Sequence, residues 1–453
     1  MKKILENYKK DINETYKLAL PIIAGQLGIM LMGFADTVQV GRMDKGSVQA
    51  LAAAADANGI LFIVAIIGYI CLQIASPMVS QAKTENNILE CSRLLRANIV
   101  VAIIMSIICS IFIVLIGLNI EVLRQPTEIK TLTQEYLWIM TISLIPSFIF
   151  YAIKSFTDGL SHTKVGMNIT WTALLMNVIL NYCFLNGVWI FPQWGLNGTG
   201  VATLIARVYM AVAIWYYTFG TDTFKEYNIV QYAQKSLNDL IKKILKVGIP
   251  SGFQGFSEIA AFYGAVVMMG WISIQHKAAH QIAIGYVALT YMAATGIATA
   301  GGIRVGAGMG ERSKSAILRA GSTALSMGTA FMGICTVFLL VFNNELASYV
   351  KDEQVIMLAA QLIIWGGFFQ LFDGIQCVSL GILRGMQDVN VPTFITFFAY
   401  WGVGLPMSYI LGFHYHLQHV GIWIGLTLAL FASAVLLSWR FYNKAQRFGE
   451  ERE

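Results

Sequence analysis

Three carboxylates stand well inside apolar runs of a 453-residue chain: Asp36 in MGFADTVQVG, Glu258 in GFSEIAAF and Asp373 in FFQLFDGIQ. A charge at the middle of a bilayer costs roughly 2.5–3.5 kcal/mol on insertion scales. Such a group must face protein or a water-filled cavity. Held neutral or hydrogen-bonded, it glues helices together. Left ionised in a cavity, it is a site for Na⁺, H⁺ or an organic cation. Apart from Lys154 near the end of one run, the runs offer no Lys or Arg to pair these three. That favours the cation site.

Other polar residues in the runs fall at helical spacing. Asn177 and Asn181 in MNVILNYCF are four apart and share one helical face, and Thr199 and Thr203 repeat the spacing. Each pair can hydrogen-bond between helices or supply oxygen to a hard cation. With Asp36 they make an oxygen-rich cluster in the first half of the chain. Glu258 and Asp373 make a two-carboxylate cluster in the second. Gln281, in HKAAHQIAI, either lines a cleft or faces the outer interface. The run HYHLQH, with His414, His416 and His419, admits a zinc reading by composition. An aromatic, polar interface loop is the better reading. The six cysteines are scattered, with no CxxC, and read as small apolar packing residues.

These groups need elements that hold them in lipid. The chain is 57% hydrophobic and 12% charged, with mean hydropathy +0.63. Soluble chains carry about 25% charged residues. The expectation is an all-α polytopic membrane protein, since lipid leaves helices as the only plausible spanning form here. Twelve spans are predicted, near 16–40, 50–76, 94–118, 132–154, 166–187, 197–219, 243–270, 279–303, 316–342, 354–381, 392–412 and 419–442. The opening MKKILENYKKDINETYK is polar and runs straight into the first span, which reads as no cleavable signal.

Placing both chain ends on one side puts 24 of the 31 Lys and Arg residues there and 7, Arg207 among them, on the other. The positive-inside rule then makes both termini cytoplasmic. Trp189, Trp194 and Trp271 fall near outer span ends, and Trp215 and Trp439 near inner ones. A net charge of +6 spread over loops forms no nucleic-acid patch. No GxxxxGK[ST] occurs, which argues against an ATPase.

The spans divide six and six around the polar stretch that starts at Thr221. Domains are expected at 1–220, an N-terminal six-helix lobe, and 243–453, a C-terminal lobe with a cytoplasmic tail. Residues 221–242 form a cytoplasmic linker. The halves resemble each other: KLALPIIAGQ aligns with KVGIPSGFQG, pairing Pro21 with Pro250, and FTDGLSHTKVG aligns with ILRGMQDVNVP, pairing Gly159 with Gly385. With an even number of spans in each, the halves form a parallel repeat: two six-helix bundles related by a pseudo-two-fold axis along the membrane normal. That arrangement suits alternating access.

LALPIIAGQ, MGFADTVQVGRM, IKSFTDGLSHTKVGM, AAHQIAI, GGIRVGAGMGERS and GILRGMQD together resemble the multidrug and toxic compound extrusion family, in its NorM-like bacterial branch. The likeness runs from the first span through the eleventh. It implies two six-helix bundles in a V, exporting cationic amphiphiles in exchange for Na⁺ or H⁺ across the bacterial inner membrane. By motif, Asp36 resembles the family's first-lobe acidic residue, with Asn177, Asn181 and Thr203 at its polar partners. Glu258 and Asp373 resemble the second-lobe cation-binding pair. The tyrosine that the branch carries four residues before the second carboxylate is Phe369 here, so a hydroxyl is lost. Asn181 stands where some relatives have aspartate.

The expected function is secondary antiport of organic cations with Na⁺ or H⁺ as coupling ion, by a monomer with no cofactor. Na⁺ candidates are Glu258, Asp373 and Asp36. A flippase or exporter of a lipid-linked or polar metabolite on the same fold is the alternative; it would be expected to carry more basic residues in the cleft. An enzyme is disfavoured, because FADTV and LFDGI do not resemble an intramembrane aspartyl protease motif.

Overall fold

A computed structural model describes residues 2–43, 46–123, 126–188, 190–227, 236–348 and 350–448. Trp189 and residues 228–235 of the expected linker lie outside the described residues.

Among the described residues, twelve helices are long and apolar enough to cross a membrane. We number them α1 (Tyr8–Gly41), α2 (Ser47–Thr84), α3 (Ile88–Leu118), α4 (Thr127–Gly159), α5 (Thr163–Asn186), α6 (Gly195–Gly220), α7 (Asn238–Ile272), α8 (Ile274–Gly310), α9 (Lys314–Val341), α10 (Glu353–Gly385), α11 (Asn390–His414) and α12 (Gln418–Arg447). The chain is an all-α, twelve-span membrane protein. Many helices outrun their apolar cores. At about 1.5 Å per residue, a ~30 Å hydrocarbon layer needs about 20 residues, whereas α8 has 37 and α10 has 33.

Local chemistry sets the ends. Asn87, Ser273, Ser313 and Asp352 each accept a backbone N–H of the first turn of α3, α8, α9 and α10. Those donors have no partner within a helix. Gly187 ends α5 at φ +64°, the left-handed conformation glycine tolerates best.

Two prolines lie inside helices, Pro21 in α1 and Pro250 in α7. Each removes a backbone donor from the helical ladder. The chain divides just beyond them. One compact unit is residues 1–23 with 253–453, and the other is residues 24–252. The division falls within α1 and α7.

Each unit fastens its borrowed half-helix with ion pairs. In the first unit, Arg304 on α8 meets Asp11 and Glu14 of α1 at 2.5 and 3.0 Å, and Arg319 meets Asp11 at 3.3 Å. In the second, Arg93 on α3 donates to both carboxylate oxygens of Asp239, at 2.7 and 2.9 Å, and to Ser236 O.

The core of the first unit depends on small residues where α8 crosses α10. A Cβ on Gly302 would lie 2.6 Å from Gly381 O, and one on Gly385 would lie 2.6 Å from Gly302 O. Only glycine lets the two backbones come this close.

Candidate functional site

In the unit of residues 24–252, the carboxylate of Asp36 is buried on α1 at 9% exposure. Asn181 Nδ2 on α5 donates to its Oδ1 at 2.5 Å, and Thr203 Oγ1 on α6 donates to its Oδ2 at 3.0 Å. Asn177 Nδ2 donates to Thr203 Oγ1 at 3.1 Å, and Asn181 Nδ2 also reaches Asn177 Oδ1 at 3.3 Å. Three helices thus converge on one carboxylate. The sequence places them: four-residue spacing puts Asn177 with Asn181 on one face of α5, and Thr199 with Thr203 on one face of α6. Thr199 is buried, but its hydroxyl has no hydrogen-bond partner and does not join the network. Asn181 Oδ1 is also buried without a partner. The Asn181 amide and the Thr203 hydroxyl therefore donate to Asp36, while a free carbonyl and a free hydroxyl remain for a cation.

In the other unit, Glu258 on α7 is 6% exposed and Asp373 on α10 is 3% exposed. Glu258 Oε1 accepts from Gln376 Nε2 at 3.3 Å and from Tyr400 Oη at 3.2 Å. Its Oε2 accepts from Gln254 Nε2 at 3.2 Å. Tyr400 and Gln376 are bonded to each other as well, Gln376 Nε2 lying 3.0 Å from the hydroxyl. Asp373 precedes Gln376 by three residues on α10, so the two neighbour on one face. Asp373 Oδ1 is buried with no hydrogen-bond partner. An unsatisfied carboxylate oxygen one helical turn from the Glu258 cluster suits a hard cation, which takes oxygen ligands.

Some expected residues stand elsewhere. Phe369 is buried in an apolar cluster, its ring 5.7 Å from Phe262 and 5.3 Å from Trp423. Gln281 is exposed and gives no hydrogen bond to either carboxylate.

The hydroxyl absent at 369 is present in the cluster from another helix, through Tyr400 of α11. Tyr400, Gln376 and Gln254 were missed as site residues. A Gln at i−4 from Glu258 and another at i+3 from Asp373 were the available signals. The donation from Tyr400 spans 142 residues and left none.

Two basic residues lie nearer the carboxylates than expected. Arg207 sits midway along α6, not in an outer loop, and donates to Ser143 Oγ at 2.6 Å. It follows Thr203 by four residues and so shares the face that carries the Asp36 partner. Arg384, in the last turn of α10, donates to Gln254 Oε1 at 2.7 Å. Gln254 bridges it to Glu258. The idea that Lys154 is the one in-span cation therefore fails, because α6 and α10 each carry an arginine near a carboxylate. Lys154 itself is ion-paired to Asp158.

The three histidines of HYHLQH do not gather a metal. Among the described residues, no group of three or more His, Cys, Asp or Glu is placed to hold one.

Comparison with known proteins gives one answer at the level of family. The MatE family model matches residues 21–183 and 250–410, two blocks that begin at Pro21 and Pro250. The chain is 30% identical over 454 residues to the probable multidrug resistance protein NorM of Idiomarina loihiensis, covering 98% of this chain and 96% of that one. It is 30% identical over 444 residues to the multidrug resistance protein NorM of Aliivibrio fischeri, covering 96% and 95%. An outward-facing multidrug resistance MATE family transporter superposes with TM-score 0.88 at 18% identity over 97% of both chains. A eukaryotic MATE transporter superposes with TM-score 0.86 at 16% identity over 98% and 99%. These structures share the twelve-helix fold. The chain belongs to the MatE family.

Proposed function

We propose that the protein is a secondary antiporter of the bacterial cytoplasmic membrane. It exports cationic amphiphilic compounds in exchange for Na⁺ or H⁺ by alternating access, as a monomer with both termini in the cytoplasm. Its functional lobes are the six-span halves, 1–220 and 243–453. One observation carries the reading: each compact unit holds a buried carboxylate, Asp36 in one and Glu258 in the other, that accepts from neutral donors on several helices. Carboxylates organised this way stay available to an entering cation. The NorM relatives are multidrug resistance proteins by name, which supports the substrate class. A metabolite flippase is less well supported, because the hubs of both clusters are acidic. No chemical step is required of any residue, and no cofactor enters the cycle.

Asp36 is the exchange point in the first lobe, where ion and substrate compete for one negative charge. Asn181, Asn177, Thr203 and Thr199 surround it. Glu258 and Asp373 hold the coupling ion in the second. A monovalent substrate leaving for one entering ion moves no net charge. Exchange for two ions moves one, and 100 mV then contributes about 2.3 kcal/mol.

The test is purified protein in liposomes, with an imposed Na⁺ or H⁺ gradient and a fluorescent organic cation inside. Substrate efflux stimulated by one of the two gradients, with reciprocal ion flux, is the expected result. Efflux indifferent to both gradients overturns the reading.

A further inference from the structure

The unit of residues 1–23 and 253–453 contains a second polar cluster, away from the carboxylates, at the N-terminal ends of α8 and α12. His276 on α8 and His419 on α12 are buried at 8% and 7% exposure. Their rings face each other with centroids 4.9 Å apart and planes at 59°. Each ring bonds through one nitrogen, and the Gln418 side chain also bonds the His276 ring. His419 Nε2 pairs with Gln361 Oε1 at 2.9 Å, and His276 Nδ1 pairs with Ser273 Oγ at 2.7 Å. His419 Nδ1 and His276 Nε2 are buried with no hydrogen-bond partner.

The bonding fixes the free atom of His419 and allows the matching one on His276. Gln361 Oε1 accepts only, so His419 Nε2 carries the proton and Nδ1 of the neutral ring presents a lone pair. Ser273 Oγ can accept from His276 Nδ1–H, which leaves a lone pair on Nε2. Metal-binding histidines characteristically give their second N–H to an oxygen in this way. Two imidazoles sharing one metal at about 2.0–2.1 Å place their centroids about 4.5–5.2 Å apart for angles from square to tetrahedral. The observed separation lies within that range.

The neighbouring His280 differs. Trp423 Nε1–H donates to His280 Nδ1 at 3.0 Å, so the proton of neutral His280 is on Nε2. His280 therefore offers no lone pair at its free nitrogen.

A groove opens beside Gln361, the partner of His419. Gln361 is exposed and lines a groove of about 450 Å³ with Asn343, Asn344, Glu353 and Met357. The Glu353 carboxylate gives that groove a negative charge.

We propose that His276 Nε2 and His419 Nδ1 bind one divalent transition-metal cation of the Zn²⁺ or Cu²⁺ class. Water completes the coordination, and Gln361 and Ser273 orient the two rings. Imidazole suits these metals, and Cu²⁺ binds more tightly than Zn²⁺ to a given nitrogen site. The bound ion staples the start of α8 to the start of α12 within this unit. Binding is weakened by acid, because a ligand nitrogen must be unprotonated.

The test uses the full chain, freed of any affinity tag, with CuCl₂ and ZnCl₂ as probes. Calorimetry should show one equivalent of metal. Electron paramagnetic resonance of the Cu²⁺ form should show two imidazole nitrogens. His276→Gln and His419→Gln should each abolish saturable binding, whereas His414→Gln and His416→Gln should leave it unchanged. Gln361→Leu, at an exposed position, should weaken affinity roughly 10-fold or more, as loss of an orienting partner does. Absence of saturable binding up to millimolar metal overturns the site. So does full affinity in Gln361→Leu, or binding lost on changing His414 or His416.

Discussion

The Tyr400 hydroxyl donates to Glu258 Oε1 at 3.2 Å, across 142 residues of chain. It is further linked to Gln376, three residues on from Asp373. A phenol oxygen both donates to a carboxylate and offers lone pairs to a cation. Tyr400→Phe removes it with little change of shape. A hydrogen bond to a charged group contributes about 1.5–3 kcal/mol, so the Na⁺ concentration for half-maximal transport should rise about 10-fold or more. Phe369→Tyr should leave it unchanged, since that ring lies among Phe262 and Trp423. A normal Na⁺ response in Tyr400→Phe would remove this hydroxyl from the ion site.

Glu258 and Asp373 should behave as one unit. Gln376 bonds Glu258 and sits one turn from Asp373 on α10. Residues that share a ligand or a network show coupling of 0.5–3 kcal/mol, give or take context. Glu258→Gln, Asp373→Asn and the double variant should therefore lose ion-driven efflux to a similar degree. The measurement is initial efflux rate in liposomes for all four proteins. Losses that multiply would mean two independent sites.

The crossing of α8 and α10 should tolerate no added carbon. A Cβ at Gly302 would lie 2.6 Å from a backbone oxygen, which cannot swing aside as a side chain can. Gly302→Ala should destabilise the protein by about 1–3 kcal/mol, the usual cost of overpacking. Thermal unfolding in detergent gives the answer. Gly285, whose Cβ would meet nothing within 4 Å, is the control, and Gly285→Ala should melt like the parent.

Span number and type were legible because apolar length is a local property, and unbroken apolar runs of about 20 residues fit a spanning helix and not the shorter, alternating strands of a barrel. Asp36, Glu258 and Asp373 were legible for the same reason: a charge in such a run is conspicuous. Asn177, Asn181 and Thr203 were legible through spacing, and the structure gathers them around Asp36. What the sequence hid depends on tertiary contact. Tyr400 is one of 19 tyrosines until α11 is packed beside α7. Arg384 looked like a loop residue because the apolar run ends before it, yet α10 continues through Gly385. Arg207 stands inside the apolar run LIARVYM, but nothing in that run shows that it faces the Asp36 cluster. The transfer of residues 1–23 to the other compact unit was hidden too. It depends on distant contacts, among them Ala19 in the core of that unit and Arg304 meeting Asp11 from 293 residues away.

Asp36 provides the sharpest test of the transport reading. Each of its two oxygens accepts one hydrogen bond, Oδ1 from the Asn181 amide and Oδ2 from the Thr203 hydroxyl, which leaves lone pairs for a cation. Asp36→Asn keeps the shape and removes the charge. The new side chain can leave its carbonyl oxygen facing Asn181 and turn its NH₂ toward Thr203. A threonine hydroxyl has two lone pairs and a rotatable proton, so Thr203 can accept from that amide while still accepting from Asn177. The Thr203 hydroxyl proton loses its carboxylate acceptor, a cost of about one hydrogen bond, while an uncharged group is cheaper to hold in the membrane. The variant should thus fold, with stability within about 1 kcal/mol of the parent, the scale of one hydrogen bond. Its cluster would no longer be anionic, and Arg207, four residues beyond Thr203, would remain as the nearby positive charge. A cationic substrate would then meet a site with no attraction for it. Ion-driven efflux should fall to the background of empty liposomes, while helical content and monodispersity in detergent stay at parental values. Normal efflux from well-folded Asp36→Asn protein would make Asp36 a packing group and leave the coupling to Glu258 and Asp373.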